Sequence, residues 1–176
     1  MLPGDLSEQE KIARIIRVDH AGEYGAKRIY AGQMAVLKGK PVGEVIRHMA
    51  EQEDKHLAAF NELVMIRKVR PTALLPLWHV AGFALGAATA LMGEKAAMAC
   101  TVAVEEVIDQ HYEGQEESLG ENEKDLREKI SKFRAEENEH KQTGLEHGAE
   151  NAPGYALLKA GIKGATRLAI WLSERV

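Results

Sequence analysis

The chain has 176 residues, of which 45% are hydrophobic and 28% charged, so composition and length suit one folded domain, predicted over residues 1–176. Its 23 basic and 27 acidic side chains give a formal charge of −4, which argues against general nucleic-acid binding, because such proteins carry an excess of cations. One cysteine, Cys100, excludes an intramolecular disulfide and a metal site of thiolates alone, and 5% aromatic residues disfavour β-sandwiches and barrels.

Residues 1–5 show neither the pattern of a secretory signal nor an Arg-rich transit segment. We therefore expect either a bacterial protein made in the cytoplasm or an organellar protein already trimmed to its mature start. Composition does not choose between the two.

Apolar residues recur at helical spacing along the chain, which predicts an all-α fold of six helices. A Ser-x-x-Glu capping box at Ser7 and Glu10 starts the first helix, and Gly39-Lys40-Pro41 ends it. The later helices are predicted over residues 42–68, within 71–93, over 94–119, over 123–147, and from 154 to the C terminus.

Residues 71–93 contain no Asp, Glu, Lys or Arg, and a fully helical segment of that length could span a bilayer. The segment is also rich in Ala and Gly, contains Pro76 and places Trp78 beside His79. A core helix, an interfacial helix and a membrane span all remain open, and the interfacial helix is preferred.

The sixth helix is amphipathic. Lys159, Lys163 and Arg167 recur every four residues as a basic stripe, with apolar residues and Trp171 elsewhere on the helix. This pattern predicts contact between residues 155–172 and anionic lipid headgroups, although docking on the protein's own bundle remains open.

Two Glu-x-x-His motifs, Glu53-Asp54-Lys55-His56 and Glu137-Asn138-Glu139-His140, each place a carboxylate and an imidazole on one helix face. Either motif alone would be weak evidence for a metal site, but the chain repeats a larger unit, a helix with an interior Glu followed by a helix with Glu-x-x-His. Glu23 precedes Glu53 by 30 residues and Glu105 precedes Glu137 by 32, each on the preceding helix of a pair. This is the arrangement of di-iron and di-manganese carboxylate bundles. Spacing alone does not choose between Glu105 and the adjacent Glu106.

Apolar residues surround these candidates, so the carboxylates are expected to point inward, where two divalent cations would balance their charge. Donors of carboxylate and imidazole without thiolate favour iron or manganese. We expect Gly22 and Gly25 to allow close helix approach, Asp19 and Asp109 to orient the ligating imidazoles, and His111 to support the site or contact substrate.

Several stretches closely resemble the demethoxyubiquinone hydroxylase family of coenzyme Q biosynthesis, over nearly the whole chain. They are Arg14-Ile15-Ile16-Arg17-Val18-Asp19-His20-Ala21-Gly22-Glu23-Tyr24-Gly25-Ala26, Arg28-Ile29-Tyr30-Ala31-Gly32-Gln33, Ala103-Val104-Glu105-Glu106, His111-Tyr112, Glu136-Glu137-Asn138-Glu139-His140 and Leu172-Ser173-Glu174-Arg175.

The resemblance implies a ferritin-like four-helix bundle, with a long apolar crossover helix and a C-terminal amphipathic helix, that holds a non-haem di-iron centre for O2 activation. It selects Glu105 over Glu106. By carry-over, Glu23, Glu53 and His56 serve one iron and Glu105, Glu137 and His140 the other, and Glu53 and Glu137 bridge the pair.

The implied reaction is O2-dependent hydroxylation of a polyprenylated demethoxy-benzoquinol, with NADH as one candidate electron donor. The implied location is peripheral, through residues 72–93 and 155–172, on the cytoplasmic face of a bacterial inner membrane or the matrix face of the mitochondrial one. Eukaryotic relatives have a lipid-binding accessory protein, and its use by this chain stays open. Ferritin-like iron storage or detoxification, another di-iron oxidase, and a metal-free membrane scaffold are the alternatives.

Overall fold

The computed structural model describes residues 6–176, and within that range the chain forms six α-helices and no β-strand. They are α1 (Glu8–Leu37), α2 (Pro41–Ile66), α3 (Leu75–Leu91), α4 (Glu94–Ser118), α5 (Lys124–Glu146) and α6 (Tyr155–Ser173), with 3₁₀ turns at Glu121–Glu123 and Ala149–Asn151. The prediction of an all-α, ferritin-like bundle is confirmed. The expectations about residues 1–5 lie outside the described residues, and the single domain stays a prediction.

Local chemistry sets the helix ends. The Glu10 backbone N–H donates to Ser7 Oγ at 3.2 Å, and the Ser7 N–H donates to the Glu10 carboxylate at 2.8 Å, so the predicted capping box is formed. Pro41 starts α2, where its missing N–H costs no hydrogen bond. The second helix ends at Ile66, before the predicted Lys68, which adopts a φ of 53° in the left-handed region.

The four long helices form two hairpins, α1 with α2 and α4 with α5, joined by the connection that contains α3. A small apolar cluster lies between α4 and α6, and the interior of the four long helices holds two larger ones at different levels along them. The clusters include Tyr30, Leu37, Ile46, Met49 and Met98 at one level, and Ile16, Phe60, Tyr112, Ile130 and Phe133 at the other. The predicted metal-ligating residues lie between these two levels along the helices.

The crossover helix α3 packs mainly against α1, and glycines let the two backbones touch. A Cβ atom at Gly86 would overlap the carbonyl oxygen of Ile29, and one at Gly32 would overlap that of Phe83. Any side chain at either glycine would therefore force α1 and α3 apart.

Gly22 and Gly25 do not have this role, so the expectation that they serve close helix approach was wrong. A Cβ at Gly25 would meet no atom within 4 Å, and one at Gly22 would reach only Ile108 Cδ1 at 4.0 Å. The missing side chains of Gly22 and Gly25 are therefore not what allows the approach; the glycines that do so are Gly32 of α1 and Gly82 and Gly86 of α3.

The structured part of the apolar segment is α3, which is 17 residues long. Among the described residues, no helix has the combination of length and hydropathy that crossing a bilayer demands. One side of α3 is nevertheless uncovered, because Leu77, Val80 and Leu91 are 51%, 66% and 76% exposed. The interfacial placement of this segment stays a prediction.

The basic stripe of α6 faces α4 rather than outward, so the expectation that it meets lipid headgroups was wrong. Lys159 Nζ lies 2.5 Å and Lys163 Nζ 2.7 Å from the carboxylate oxygens of Glu106, and Arg167 donates to Gln110 Oε1 at 3.2 Å. The reason is that Glu106 on α4 offers a partly buried carboxylate that pairs with Lys159 and Lys163. The opposite side of α6 is apolar and exposed, including Leu157, Leu168 and Trp171.

Candidate metal centre

Six buried side chains from four helices meet in the middle of the bundle. They are Glu23 of α1, Glu53 and His56 of α2, Glu105 of α4, and Glu137 and His140 of α5. Their ligand atoms form two groups, each with all atoms within 4.8 Å of one another: Glu23, Glu53, His56 and Glu137, and then Glu53, Glu105, Glu137 and His140. The structure thus brings together all six residues singled out in the sequence, and Glu53 and Glu137 belong to both groups.

The carboxylates are poorly satisfied by the protein itself. Burial, together with the charges of Glu137 and Glu23, raises the pKa of Glu53 well above its usual range. Burial and neighbouring carboxylates raise the pKa of Glu105 in the same way. Both oxygens of Glu53 and Oε2 of Glu23 are buried without a hydrogen-bond partner. Buried carboxylate oxygens that lie this close together without hydrogen-bond donors are suited to bind divalent cations.

Glu137 is the one of the four carboxylates whose pKa is lowered. Burial acts to raise its pKa, but hydrogen bonds from His140 and His56 outweigh that effect and hold the pKa at about 2. His56 Nδ1 lies 3.0 Å from Glu137 Oε1, and His140 Nδ1 lies 3.1 Å from Oε2. Burial acts to lower the pKa of His56, but Glu137 and Glu23 raise it to about 12. Each Nδ1 therefore donates a proton to Glu137, at a position where a cation could replace that proton.

Two buried tyrosines connect the two halves of the site. Tyr30 lies seven residues after Glu23 on α1, yet its hydroxyl donates to Glu105 Oε1 on α4 at 3.1 Å. Tyr112 lies seven residues after Glu105, and its hydroxyl donates to Glu23 Oε1. Each half of the bundle thus donates an equivalent hydrogen bond to the other. These bonds orient Glu23 and Glu105, the two unshared carboxylates, each of which belongs to only one ligand group.

The outward-facing ring nitrogens of the two histidines are also paired across the bundle. His56 Nε2 of α2 donates to Glu136 Oε2 of α5 at 2.6 Å, and His140 Nε2 of α5 donates to Gln52 Oε1 of α2 at 3.0 Å. These contacts leave Nδ1 of each ring directed at the carboxylates, which is the orientation a ligating imidazole requires.

The expectation that Asp19 and Asp109 orient the imidazoles was therefore wrong. Asp19 accepts a hydrogen bond from Gln115 at 2.7 Å and lies 3.5 Å from His111 Nε2, beside the site. Asp109 faces the α4–α5 seam, where Arg134 donates to it at 2.7 Å. Sequence analysis missed Glu136 and Gln52, although each directly precedes the Glu of a Glu-x-x-His motif, a repeat that could have found them.

Two further histidines and the cysteine lie outside the cluster and have other surroundings. Nε2 of the buried His20 lies 3.0 Å from Asn61 Oδ1, and His79 pairs with the Tyr24 hydroxyl at 2.6 Å. Burial raises the pKa of the Cys100 thiol to about 12, which makes it unreactive.

An apolar cavity of about 160 Å³ lies between α1, α3, α4 and α6. It shares part of its wall with a smaller cavity that reaches Glu23, Glu53, Glu105 and Glu137. The shared wall consists of Val18, Gly22, Ala26, Ile108 and Ile170. The backbone of Gly25 also lines the larger cavity, and Trp78 Nε1 donates to Ser173 Oγ at 3.0 Å to join α3 to α6 beside it. The two cavities therefore adjoin, and these five residues are what stands between the larger cavity on the α3–α6 side and the one that reaches the carboxylates.

The family described as "Ubiquinone biosynthesis protein COQ7" matches residues 10–173. A relative from Rhodospirillum rubrum, named 3-demethoxyubiquinol 3-hydroxylase, is 57% identical over 177 residues, covering 99% of this chain and 83% of its own length. The human relative, named NADPH-dependent 3-demethoxyubiquinone 3-hydroxylase, mitochondrial, is 59% identical over 94% of this chain and 78% of its own length. The yeast relative, named 5-demethoxyubiquinone hydroxylase, mitochondrial, is 43% identical over 93% and 77% of the respective lengths. The family resemblance is thereby confirmed, and the chain belongs to the COQ7 family of ubiquinone biosynthesis proteins.

Proposed function

We propose that this protein is an O2-dependent 3-demethoxyubiquinol 3-hydroxylase with a di-iron centre. The observation that carries the proposal is the convergence of six buried Glu and His side chains next to an apolar cavity. The printed names of the relatives support the reaction, since all three cited above are hydroxylases of a demethoxyubiquinone or its quinol.

Two iron ions would occupy the two groups of ligand atoms. Glu23 and His56 would hold one ion, Glu105 and His140 the other, and Glu53 and Glu137 would contact both. Four carboxylates would then balance the charge of two divalent ions and satisfy the unpaired oxygens of Glu23 and Glu53. When bound, the iron pair supplies the redox chemistry that activates O2.

The overall reaction places one oxygen atom of O2 into a ring C–H bond and releases the other as water. The reaction consumes two electrons and two protons in addition to O2 and the quinol. The name of the human relative states NADPH dependence, so we assign the electrons to a reduced nicotinamide such as NADPH or NADH.

The chain's own residues position the substrate. The apolar walls of the cavity suit a benzoquinol ring with an isoprenoid tail, and the missing side chains of Gly22 and Gly25 leave room for a flat ring along α1. The same walls keep water away from the carboxylates, which strengthens electrostatic interactions at the centre.

A polyprenyl quinol resides in the bilayer, and we place the protein on a membrane surface through α3 and α6. Their outward sides carry exposed Leu77, Val80, Leu157 and Leu168, and the cavity lies between these two helices. This surface is the matrix face of the mitochondrial inner membrane in an organellar setting and the cytoplasmic face of the inner membrane in a bacterium. A lipid-binding accessory protein would bind at the same apolar side.

The test is single-turnover hydroxylation under ¹⁸O2. The purified chain is loaded anaerobically with Fe(II), supplied with a short-tailed demethoxyquinol, and exposed to labelled gas, and the product is analysed by mass spectrometry. We expect one ¹⁸O atom in the product ring and no product from Glu137→Ala, which should stay helical. Glu139→Ala, on the exposed side of the same helix, is the matched control and should retain activity.

Product formation by Glu137→Ala at the control rate, or ring oxygen derived from water, would contradict the proposal. Iron storage in place of hydroxylation would appear as a large shell by particle mass and as iron uptake without ring product.

A further inference from the structure

The hydrogen bonds made to the predicted metal ligands are nearly equivalent in the two halves of the site. Tyr30 donates to Glu105 and Tyr112 donates to Glu23, so each unshared carboxylate receives one phenol from the opposite half. Both histidines direct Nδ1 at the same shared carboxylate, Glu137, at 3.0 and 3.1 Å. A difference between the two metal positions must therefore come from elsewhere.

The residue before the Glu of each motif provides that difference. Gln52 and Glu136 occupy equivalent places, and each accepts the Nε2–H of the histidine in the opposite motif. Glu136, however, is a carboxylate at 2.6 Å from His56, whereas Gln52 is an amide at 3.0 Å from His140. Among the direct hydrogen-bond partners of the six predicted ligands, this is the one difference in charge between the two halves.

An anionic acceptor makes a shorter and stronger hydrogen bond than a neutral amide does. By attracting the Nε2 proton of His56, Glu136 increases electron density at Nδ1, the atom that faces the metal position. Loss of such an outer partner typically lowers metal affinity by about 10- to 100-fold. Lys132 Nζ lies 3.7 Å from the other Glu136 oxygen, but its side chain is 70% exposed, so solvent screens its charge.

We propose that Glu136 makes the metal position beside His56 the tighter of the two, so that this position fills first. Glu136 and Gln52 are positioning residues that act through the histidines. This inference rests on the proposed di-metal centre and adds an order of loading to it.

The experiment exchanges the amide of Gln52 and the carboxylate of Glu136, the residues that accept hydrogen bonds from the two histidines. Crystals of wild type and of the double variant Gln52→Glu/Glu136→Gln are grown with about half an equivalent of Mn(II), which does not react with O2, and anomalous scattering measures the occupancy at each position. In wild type, we expect the position beside His56 to be favoured by about tenfold or more. In the double variant, the preference should move to the position beside His140.

The single variant Glu136→Gln preserves shape and tests the idea if the double variant does not fold. It should reduce the wild-type preference by about tenfold, whereas Glu139→Gln, an exposed position on α5, should not change it. Equal occupancies in wild type, or an unchanged preference after Glu136→Gln or after the exchange, would overturn the inference while leaving the di-metal centre intact. Absence of Mn(II) from both positions at saturating metal would overturn the proposed centre itself.

Discussion

Tyr30 and Glu105 come from different halves of the bundle, and the Tyr30 hydroxyl donates to the Glu105 carboxylate at 3.1 Å in the interior. Tyr30 is 2% exposed, and Glu105 is equally buried, so water cannot replace this bond. The contact therefore links the α1–α2 hairpin to the α4–α5 hairpin at the level of the metal centre.

Tyr30→Phe should lower the free energy of unfolding of the metal-free protein by about 1–3 kcal/mol, because it leaves a buried acceptor without its donor. Urea unfolding measures the change. Tyr24→Phe, which removes a more exposed hydroxyl on the same helix, is the control and should cost less. If both variants lower the free energy of unfolding equally, the buried Tyr30–Glu105 hydrogen bond contributes no more stability than the exposed one.

Gly25→Leu should abolish quinol binding while leaving the fold intact. The new side chain would extend into the apolar cavity, since a Cβ at Gly25 meets no atom within 4 Å, and the loss of a helical glycine should stabilise α1 by about 0.5–1 kcal/mol. Fluorescence or calorimetric titration with a short-tailed demethoxyquinol measures binding, and thermal unfolding measures stability. Gly114→Leu, at an exposed glycine of α4 that also has no neighbour within 4 Å, is matched in helix propensity and should bind normally. Normal binding by Gly25→Leu would rule out this cavity as the substrate site.

Glu106→Gln should reveal how α6 is held. Burial acts to raise the pKa of Glu106, but hydrogen bonds and charges from Lys159 and Lys163 lower it overall. A carboxyl with a lowered folded-state pKa stabilises the fold above its ordinary pKa of about 4.3, and loses that effect as pH falls through the folded value.

The variant should therefore be less stable than wild type at pH 7, by about 1 kcal/mol, with a smaller difference below about pH 4. Denaturant unfolding at the two pH values measures this, with Glu117→Gln at an exposed position of α4 as the control. A difference that does not change with pH would contradict the assignment of the ion pairs.

Binding to anionic vesicles should depend on the apolar faces of α3 and α6 and not on the basic stripe. The triple variant Leu77→Ser/Val80→Ser/Leu168→Ser should lose at least about tenfold in vesicle affinity, because exposed apolar surface is what the interface would bury. Lys159→Gln/Lys163→Gln should change that affinity little, because both lysines are already paired with Glu106. Co-sedimentation measures both, and the reverse ranking would return the membrane contact to the basic stripe.

Sequence periodicity was sufficient for the architecture. The capping box at Ser7, the break at Pro41 and the helical spacing gave six helices whose ends lie close to those observed. The repeat of an interior Glu followed by Glu-x-x-His identified five of the six side chains that converge, because the same pattern occurs on two successive helix pairs. The sixth was narrowed to Glu105 or Glu106, and the family resemblance selected Glu105.

What sequence could not give was the set of contacts between helices. Lys159 and Lys163 face α4 because Glu106 lies there. A basic stripe has the same four-residue spacing whether it faces lipid or protein, so spacing alone could not show this. The partners of His56 and His140 depend on how α2 and α5 are rotated against each other, so the nearby acids Asp19 and Asp109 were chosen over Gln52 and Glu136. Likewise, only the packing of α3 shows that Gly25 faces a cavity.

The iron content of the anaerobically loaded protein and its ligand variants, measured by mass spectrometry, decides whether the di-iron centre exists. Wild type should bind two Fe(II) per chain. Glu53→Ala and Glu137→Ala should lose both ions, because those carboxylates belong to both ligand groups, whereas Glu23→Ala and Glu105→Ala should each retain one. A wild-type protein that binds no iron, or variants at Glu53 and Glu137 that still bind two ions, would contradict the di-iron centre.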